Sequence, residues 1–467
     1  MKIYNTMNRQ KEDFVPIEPG KVRMYTCGQT VYNDIHMGNA RFYVVYDAIR
    51  RWLEYRGYDV TFVQNFTDIE DKIIQKANDE HVSSEVIAEK YIAHTLEDLK
   101  TLNVLPATYN PRATDEVPEI ISMIEHLIHK GFAYEYHGEV FYDVSQYHEY
   151  GKLSKKNIDE LEAGDRAEKR EGKRNDADFV LWKPAKPGEP KWESPWSAGR
   201  PGWHIECSAM VRKYLGDTID IHGGGSDLIF PHHENEIAQS EAVTGKTFAH
   251  YWMHTGMLTA DHKKMSKSRG NFFTFREMTE KFSPEVLRFY LLSGHYRMPM
   301  EFTDAVLEAA QAGLTRIKNS HHNLVHAMQT HKDTATQDKP LHLDITETFR
   351  RDFEKAMDDD FNTADAITVI FELVKYINNE IASSEPSSQL LYQNLLDELI
   401  SLTGILGITL SEPVADDDNA EIDALIEARQ NARKNKDFAA ADDIRDRLTQ
   451  MGIIIEDTAG GVRWRRV

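Results

Sequence analysis

KVRMYTCGQTVYNDIHMGNARFYVVYDAIRRWLEYRGYDVTFVQNF, residues 21–66, is the stretch that decides the fold. Residues 21–27 alternate and then meet Gly28, the pattern of a strand entering a tight turn. After the turn His36-Met37-Gly38-Asn39, residues 40–56 carry Phe42, Val45, Tyr46, Ile49, Trp52 and Leu53 at helical spacing. A second strand follows at 59–66 (DVTFVQNF). Strand, helix, strand with short loops opens an α/β, Rossmann-like, doubly wound sheet. Ligands in such sheets bind beyond the carboxyl ends of the strands, and Cys27 sits at one of these ends.

Downstream, residues 151–200 break the pattern. DRAEKREGKRNDAD (165–178) is densely charged and KPAKPGEPKWESPW (183–196) is rich in Pro and Trp. Both read as part of an insertion, about 105–200, in a catalytic domain spanning 1–303. The α/β pattern resumes with a strand near 218–222, a Gly223-Gly224-Gly225 turn and a helix from about 231. A strand near 251–258 then delivers Lys264-Met265-Ser266-Lys267-Ser268. Residues 304–410 read as an α-helical bundle, with Leu314, Ile317 and Leu324, then Ile370, Leu373, Val374 and Ile377, on apolar faces. An acidic linker, SEPVADDDNA, leads to a small mixed α/β module at 421–467. That module has two helices (421–435 and 438–451) and a hairpin turning at Gly460-Gly461.

Composition narrows the class. The chain is 41% hydrophobic and 28% charged, ordinary for a soluble globular protein of 467 residues. No run of 18 apolar residues exists, and MKIYNTMNRQKEDF at the start lacks the apolar core of a signal peptide. The expectation is a cytoplasmic protein, a monomer with no membrane partner. A net charge of −21 argues against non-specific nucleic-acid binding over the whole surface. The terminal module is different: nine Lys/Arg balance nine Asp/Glu from Glu421 onward, and the chain finishes in Arg463-Trp464-Arg465-Arg466. Two cysteines rule out a disulfide scaffold.

Two constellations carry chemistry. Lys264 and Lys267, with two hydroxyls, can neutralise and orient the triphosphate of ATP as pyrophosphate leaves. His36 and Asn39, at a strand-to-helix turn, can hold the phosphates from the other side. A Lys/Ser run alone reads equally as a solvated turn; the upstream partner gives it meaning. The second constellation is PHHENE, 231–236, where His232 and Glu236 lie four apart on one helical face. With two free cysteines elsewhere, Cys27, Cys207, His232 and Glu236 make a plausible zinc set. By spacing alone, His233 and Glu234 are interchangeable with that pair.

The wording of five stretches resembles the cysteinyl-tRNA synthetases, a family of class I aminoacyl-tRNA synthetases. They are TCGQTVYNDIHMGNAR (26–41), NFTDIEDKII (65–74), GRPGWHIECSAM (199–210), DIHGGGSDLIFPHHENEIAQSE (220–241) and KKMSKSRGN (263–271). The similarity extends over essentially the whole chain. Asn39 stands where the general class I motif has a second histidine, and Ser197 stands where a glycine is expected before Ala198. The resemblance selects His232 and Glu236, with Cys27 and Cys207, as ligands of one zinc that recognises the substrate thiolate. It implies two steps: ATP, with Mg²⁺, and cysteine form cysteinyl-adenylate, which passes to the 3′-terminal ribose of tRNA(Cys). Apolar fit separates cysteine from serine or alanine by only about 1–3 kcal/mol, whereas a metal–sulfur bond can supply more. Four protein ligands normally close a zinc site, so expansion to five or displacement of Glu236 is expected.

The resemblance also assigns His36, Asn39 and Lys267 to ATP. Gly223 and Gly224 then allow backbone approach to adenosine, and Asp227 takes the ribose hydroxyls. Thr67 and Trp203 hold the amino group and backbone of cysteine. Arg433, Asp442, Asp457 and Trp464 offer charged and aromatic groups to unstacked anticodon bases. The alternative is a cysteine-activating ligase that transfers to an amino sugar; such relatives lack a terminal anticodon module.

Overall fold

A computed structural model describes residues 1–157, 171–260, 263–264, 273–330, 344–383, 387–410, 417–451, 453–458 and 461–466. The chain divides into two units. The first comprises Met1–Ile317, Asp344–Leu373 and Ser401–Ile408; the second comprises Lys318–Leu343, Val374–Ile400 and Thr409–Val467. The boundary expected at residue 303 is not where the division falls, because the helix Asp304–Thr330 is shared between the units.

The first unit is built on a parallel sheet of β1 (Lys21–Thr26), β2 (Asp59–Gln64), β3 (Ile219–Gly225) and β4 (Ala249–Thr255), in the order β4-β3-β1-β2. From β1 the chain steps outward to β2 and later returns on the other side of β1 as β3. The gap beyond the carboxyl ends of β1 and β3 is therefore a topological switch point, where such sheets bind ligands. Residues Ile219 to Gly224 of β3 are all buried, as expected of a strand with helices on both faces. Tyr25, Val63, Met210, Val211, Ile219, Ile237, Phe248 and Trp252 share the core on one side.

Helix α1 (Met37–Tyr55) follows β1 directly. His36 is its N-cap: His36 Nδ1 accepts from the Asn39 backbone N–H at 3.1 Å, and Asn39 Oδ1 accepts from the His36 N–H at 3.2 Å. This reciprocal box satisfies two donors at the helix start and stabilises it by about 1 kcal/mol. The helix buries Ala40, Tyr43, Val44, Ala48 and Trp52, and ends before Gly57 at φ +87°.

Two further helices complete the scaffold of the site: α2 (Trp203–Leu215) and α3 (Glu234–Thr244). Between β2 and α2 lies a second sheet, antiparallel, of strands Ala133–Tyr136, Glu139–Tyr142, Phe179–Pro184 and Gly199–Pro201. Its core, with Ile120, Ile124, Tyr142, Leu181 and Trp182, also takes in Ile205 of α2 and Ala238 of α3. The Tyr142 hydroxyl donates to Ala238 O at 2.9 Å, and the Glu234 carboxylate accepts from the Ser154 N–H at 2.8 Å. The inserted sheet thus braces the two helices that carry Cys207 and Glu236.

Two local expectations change. Gly223-Gly224-Gly225 is not a turn but the end of β3, paired with Met253, His254 and Thr255 of β4. A Cβ at Gly223 would lie 2.3 Å from the Tyr46 ring, and one at Gly224 2.4 Å from the His233 ring. Glycine there lets α1 and the histidine turn close onto the strand. The helix expected from 231 becomes regular only at Glu234; an irregular turn, Ile229–His233, precedes it, with Phe230 extended.

In the second unit, helices Asp417–Lys434 and Phe438–Gln450 pack with a hairpin of Ile453–Thr458 and Gly461–Arg466. Ile422, Ile426, Leu448 and Ile453 form its core. Gly460, the expected turn residue, lies outside the described residues. No helix among the described residues is long and apolar enough to cross a membrane.

Candidate active site

Cys27, the first residue after β1, belongs both to a buried side-chain cluster and to the wall of an adjoining cavity. The cluster unites Cys27, Cys207 from α2, His232 from the irregular turn and Glu236 from the first turn of α3. Their Sγ, Nε2 and carboxylate atoms all lie within 4.8 Å of one another. Cys27 Sγ donates to Glu236 Oε1 at 3.1 Å, Cys207 Sγ is 3.6 Å from His232 Nε2, and His232 Nε2 is 3.0 Å from Glu236 Oε1. Ligands of a tetrahedral zinc stand roughly 3.3–3.8 Å apart, from bonds of 2.0–2.3 Å. Two soft sulfurs, an imidazole and a carboxylate at this spacing fit that ion.

Electrostatics agrees with the fit. Burial pushes the Cys27 thiol well up, whereas the neighbouring Cys27 thiol, with His232, brings Cys207 down to about 6. Burial opposes the charge on His232, yet Glu236 and Cys207 raise it to about 10. Burial likewise opposes ionisation of Glu236, and His222 and His232 overcome it, holding the carboxylate well below its usual range. The protein groups alone therefore favour thiolate, carboxylate and imidazolium in one dry cluster, which a divalent cation enters by displacing protons.

Two of the ligand candidates, His232 and Glu236, are oriented from behind. His204 Nδ1 shares a hydrogen bond with His232 Nδ1 at 2.8 Å, and Trp203 stacks on the His232 ring with centroids 4.3 Å apart. His222 Nε2 shares one with Glu236 Oε2 at 2.8 Å. His233 faces the other way: its Nε2 is 3.4 Å from Cys27 Sγ, and its Nδ1 is 2.9 Å from His254 Nε2. Of the alternatives that spacing left open, the group containing both cysteines holds His232 and Glu236; His233 groups with Cys27 and His222. Glu234 is engaged by the insertion.

The cavity, about 360 Å³, is of a size common for small-molecule sites. His36, Gly38, Asn39 and Phe42 of α1 and its cap line it, as do Gly225 at the end of β3, Asp227, Gly256 and Met257; Trp203 borders it too. His36 and Asn39 are half-buried and Asp227 is exposed. Gly223 and Gly224, expected at adenosine, are not on this wall; only Gly225 of the three is. Thr67 is not there either. It is buried, its hydroxyl donates to Glu206 Oε2 at 3.1 Å, and its backbone pairs with Gln29 and Val31, on either side of Thr30 of the cavity wall.

Lys264 pairs through its backbone with Thr259, in a short strand that extends from the cavity edge. The Lys264 side chain and all of Lys267 lie outside the described residues. Phe273 O accepts from the Met37 N–H of α1 at 3.1 Å. Arg433 and Asp442 are exposed on the two terminal helices. Asp457 and Trp464 fall on opposite strands of the hairpin, their side chains outside the described residues. Sequence reasoning missed His204 and His222. His204 precedes Cys207 by three, on the same side of α2, and that spacing was the available signal.

Comparison with known proteins agrees along the whole length. Residues 13–312 match the family described as tRNA synthetases class I (C) catalytic domain, residues 352–411 the DALR domain, and residues 415–465 the cysteinyl-tRNA ligase anticodon binding domain. The cysteine–tRNA ligase of Lachnospira eligens is 54% identical over 476 residues, and that of Clostridioides difficile 51% identical over 470, each covering 100% of both chains. Among solved structures, methionyl-tRNA synthetase of Mycobacterium tuberculosis in complex with methionyl-adenylate is similar at a TM-score of 0.63. At 16% identity, over 90% of this chain and 96% of that one, it speaks for the fold. With relatives matched over their full length and a family match over residues 13–312, the chain belongs to the cysteine–tRNA ligase family of class I tRNA synthetases.

Proposed function

We infer that the chain activates cysteine with ATP and transfers it to the terminal ribose of tRNA(Cys). The observation that carries this reading is Cys27, which joins a buried Cys/His/Glu cluster to a cavity facing the N-terminus of α1. In the first step the cysteine carboxylate attacks the α-phosphorus of ATP, and the bond to pyrophosphate breaks. The side chains of His36 and Asn39 hold the polyphosphate, at the positive end of the α1 dipole. Lys264 and Lys267 neutralise charge on the departing pyrophosphate, and Mg²⁺ accompanies ATP. Asp227 accepts from the ribose hydroxyls. In the second step a hydroxyl of the tRNA terminal ribose attacks the activated carbonyl and AMP leaves.

Cys27, Cys207, His232 and Glu236 would hold zinc, with His204 and His222 orienting the last two. Bound there, zinc supplies a soft Lewis acid that prefers a thiolate sulfur to a serine hydroxyl. Trp203 shields His232 from water and borders the amino-acid end of the cavity. Thr67 keeps the wall at Gln29 and Thr30 in place, which holds the cysteine backbone. Arg433, Asp442, Asp457 and Trp464 contact the anticodon. Transfer to an amino sugar is disfavoured by the match of residues 415–465 to an anticodon binding domain.

ATP–pyrophosphate exchange on metal-loaded protein tests the reading. Exchange is expected with cysteine and not with serine or alanine, followed by aminoacylation of tRNA(Cys). Exchange with serine at a comparable rate, or none with cysteine in folded protein, overturns it.

A further inference from the structure

Arg41 lies on α1 five residues beyond His36, and it is one of the largest fully buried side chains, 1% exposed. Its guanidinium donates to five backbone carbonyls and, among the described residues, forms no ion pair. Nη1 reaches Gly256 O at 2.8 Å and Met257 O at 3.2 Å; Nη2 reaches His295 O at 3.2 Å, Tyr296 O at 3.3 Å and Met298 O at 2.7 Å. Three of these carbonyls also accept from the backbone: Met257 O from Met300, His295 O from Met298, and Tyr296 O from Gly256. Gly256 O and Met298 O take the two shortest bonds from Arg41. Its Nε has no hydrogen-bond partner among the described residues, and burying a cation without a carboxylate is costly where a donor goes unpaired. Burial lowers Arg41 to about 10, and it stays protonated at neutral pH. A group retained at that cost marks a place where geometry matters.

What the guanidinium joins is specific. Helix α1 forms one wall of the cavity through Gly38, Asn39 and Phe42, while Gly256 and Met257 lie on another. Gly256 packs directly on the third segment, where an added Cβ would come within 2.5 Å of Met298 O. Beyond Met257 the chain enters the strand Leu258–Ala260, which pairs with Lys263–Lys264 on one side and Met300–Glu301 on the other.

We propose that Arg41 is a positioning residue for the nucleotide: its fork holds the α1 wall and the Gly256–Met257 wall of the cavity at a fixed separation. The proposal rests on the cysteine-activating reading and deepens it. The two short bonds leave from different nitrogens, Nη1 and Nη2, to two different segments, a planar fork that the single nitrogen of an ammonium group lacks. A shift of about 1 Å between walls that hold reacting groups can cost about 10²-fold in rate.

The test compares wild type, Arg41→Lys, Arg41→Met and Gly256→Ala, the last displacing the same contact without altering the arginine. Active-site titration counts competent molecules, and pyrophosphate exchange then gives kcat and KM per site. For Arg41→Met the expectation is kcat down about 100-fold and the KM for ATP up at least about fivefold, with KM for cysteine and zinc content unchanged. Arg41→Lys should recover about tenfold of the loss, and Gly256→Ala should share the ATP-specific pattern. Wild-type kinetics per competent site in Arg41→Met, or equal rises in both KM values, overturn the proposal. If Arg41→Met does not fold, Gly256→Ala with unchanged KM for ATP overturns it equally. Wild type failing to exchange with cysteine would instead refute the reading beneath it.

Discussion

On the proposed reading the site has a thiol end, entered from the cavity at Cys27, and a phosphate end at the start of α1, and the two are built in opposite ways. At the thiol end, Cys27, Cys207, His232 and Glu236 are at most 5% exposed, and His204 and His222 fix the last two from behind. At the phosphate end, His36 and Asn39 are half-buried and oriented mainly by each other, through the capping box of α1. The contrast follows from what each end must do. Cysteine differs from serine by one atom, so discrimination needs donors that cannot rearrange. Pyrophosphate must bind and leave, which suits accessible groups whose contribution is charge and direction.

The largest expected effect falls at the rigid end. Cys207→Ser should reduce bound zinc from one per chain to near zero by metal analysis. Cysteine-dependent exchange should fall in the same protein by at least about 10³-fold, the several kcal/mol that a metal contributes. Serine keeps the volume but offers no thiolate, so circular dichroism should stay close to wild type. Full exchange in a zinc-free variant would erase the distinction between the two ends. At the phosphate end, Lys267→Ala should lower kcat for exchange by about 10²–10³-fold, leaving zinc content and KM for cysteine alone. A lysine variant that loses zinc would mean the ends are coupled.

A third effect, smaller, sharpens the thiol end. Burial, with His232 adding to it, pushes His204 well below its usual range, so it stays neutral and can accept the His232 Nδ1 proton. That bond turns His232 Nε2 toward Cys207 and Glu236. His204→Ala should weaken zinc by about 10–100-fold in a competition titration against a chelator, with little change in pyrophosphate handling.

Much of this was legible in the chain, and the omissions have physical causes. β1, α1 and β2 were readable because periodicity 2 and 3.6 follow each other within one short stretch. Gly223–Gly225 was misread as a turn because glycine signals permission, and only the packed structure shows that Tyr46 and His233 use the space. The helix at 231 was placed too early because proline marks a first turn without saying that the turn is regular. Arg41 was invisible: its partners are backbone carbonyls from residues 256 to 298, which no pattern of side chains announces. His222 hides for a related reason, since a histidine in a buried strand carries no spacing that marks it as a partner of Glu236.

The smallest expected effect separates two functions that His36 combines. As N-cap, its Nδ1 accepts from the Asn39 N–H, which puts the ring proton on Nε2. Asparagine caps a helix well; alanine does not, at a cost of about 1 kcal/mol. His36→Asn should therefore unfold at nearly the wild-type temperature, and His36→Ala should lose about 1 kcal/mol in a denaturant titration. Both remove the ring donor, and both should lower kcat for exchange by about tenfold, the worth of one hydrogen bond to a charged oxygen. If His36→Asn keeps full activity while His36→Ala loses it, the histidine serves the phosphates only through the cap. The accessible end of the cavity would then work by helix geometry, and its likeness to the preorganised thiol end would be closer than the side chains suggest.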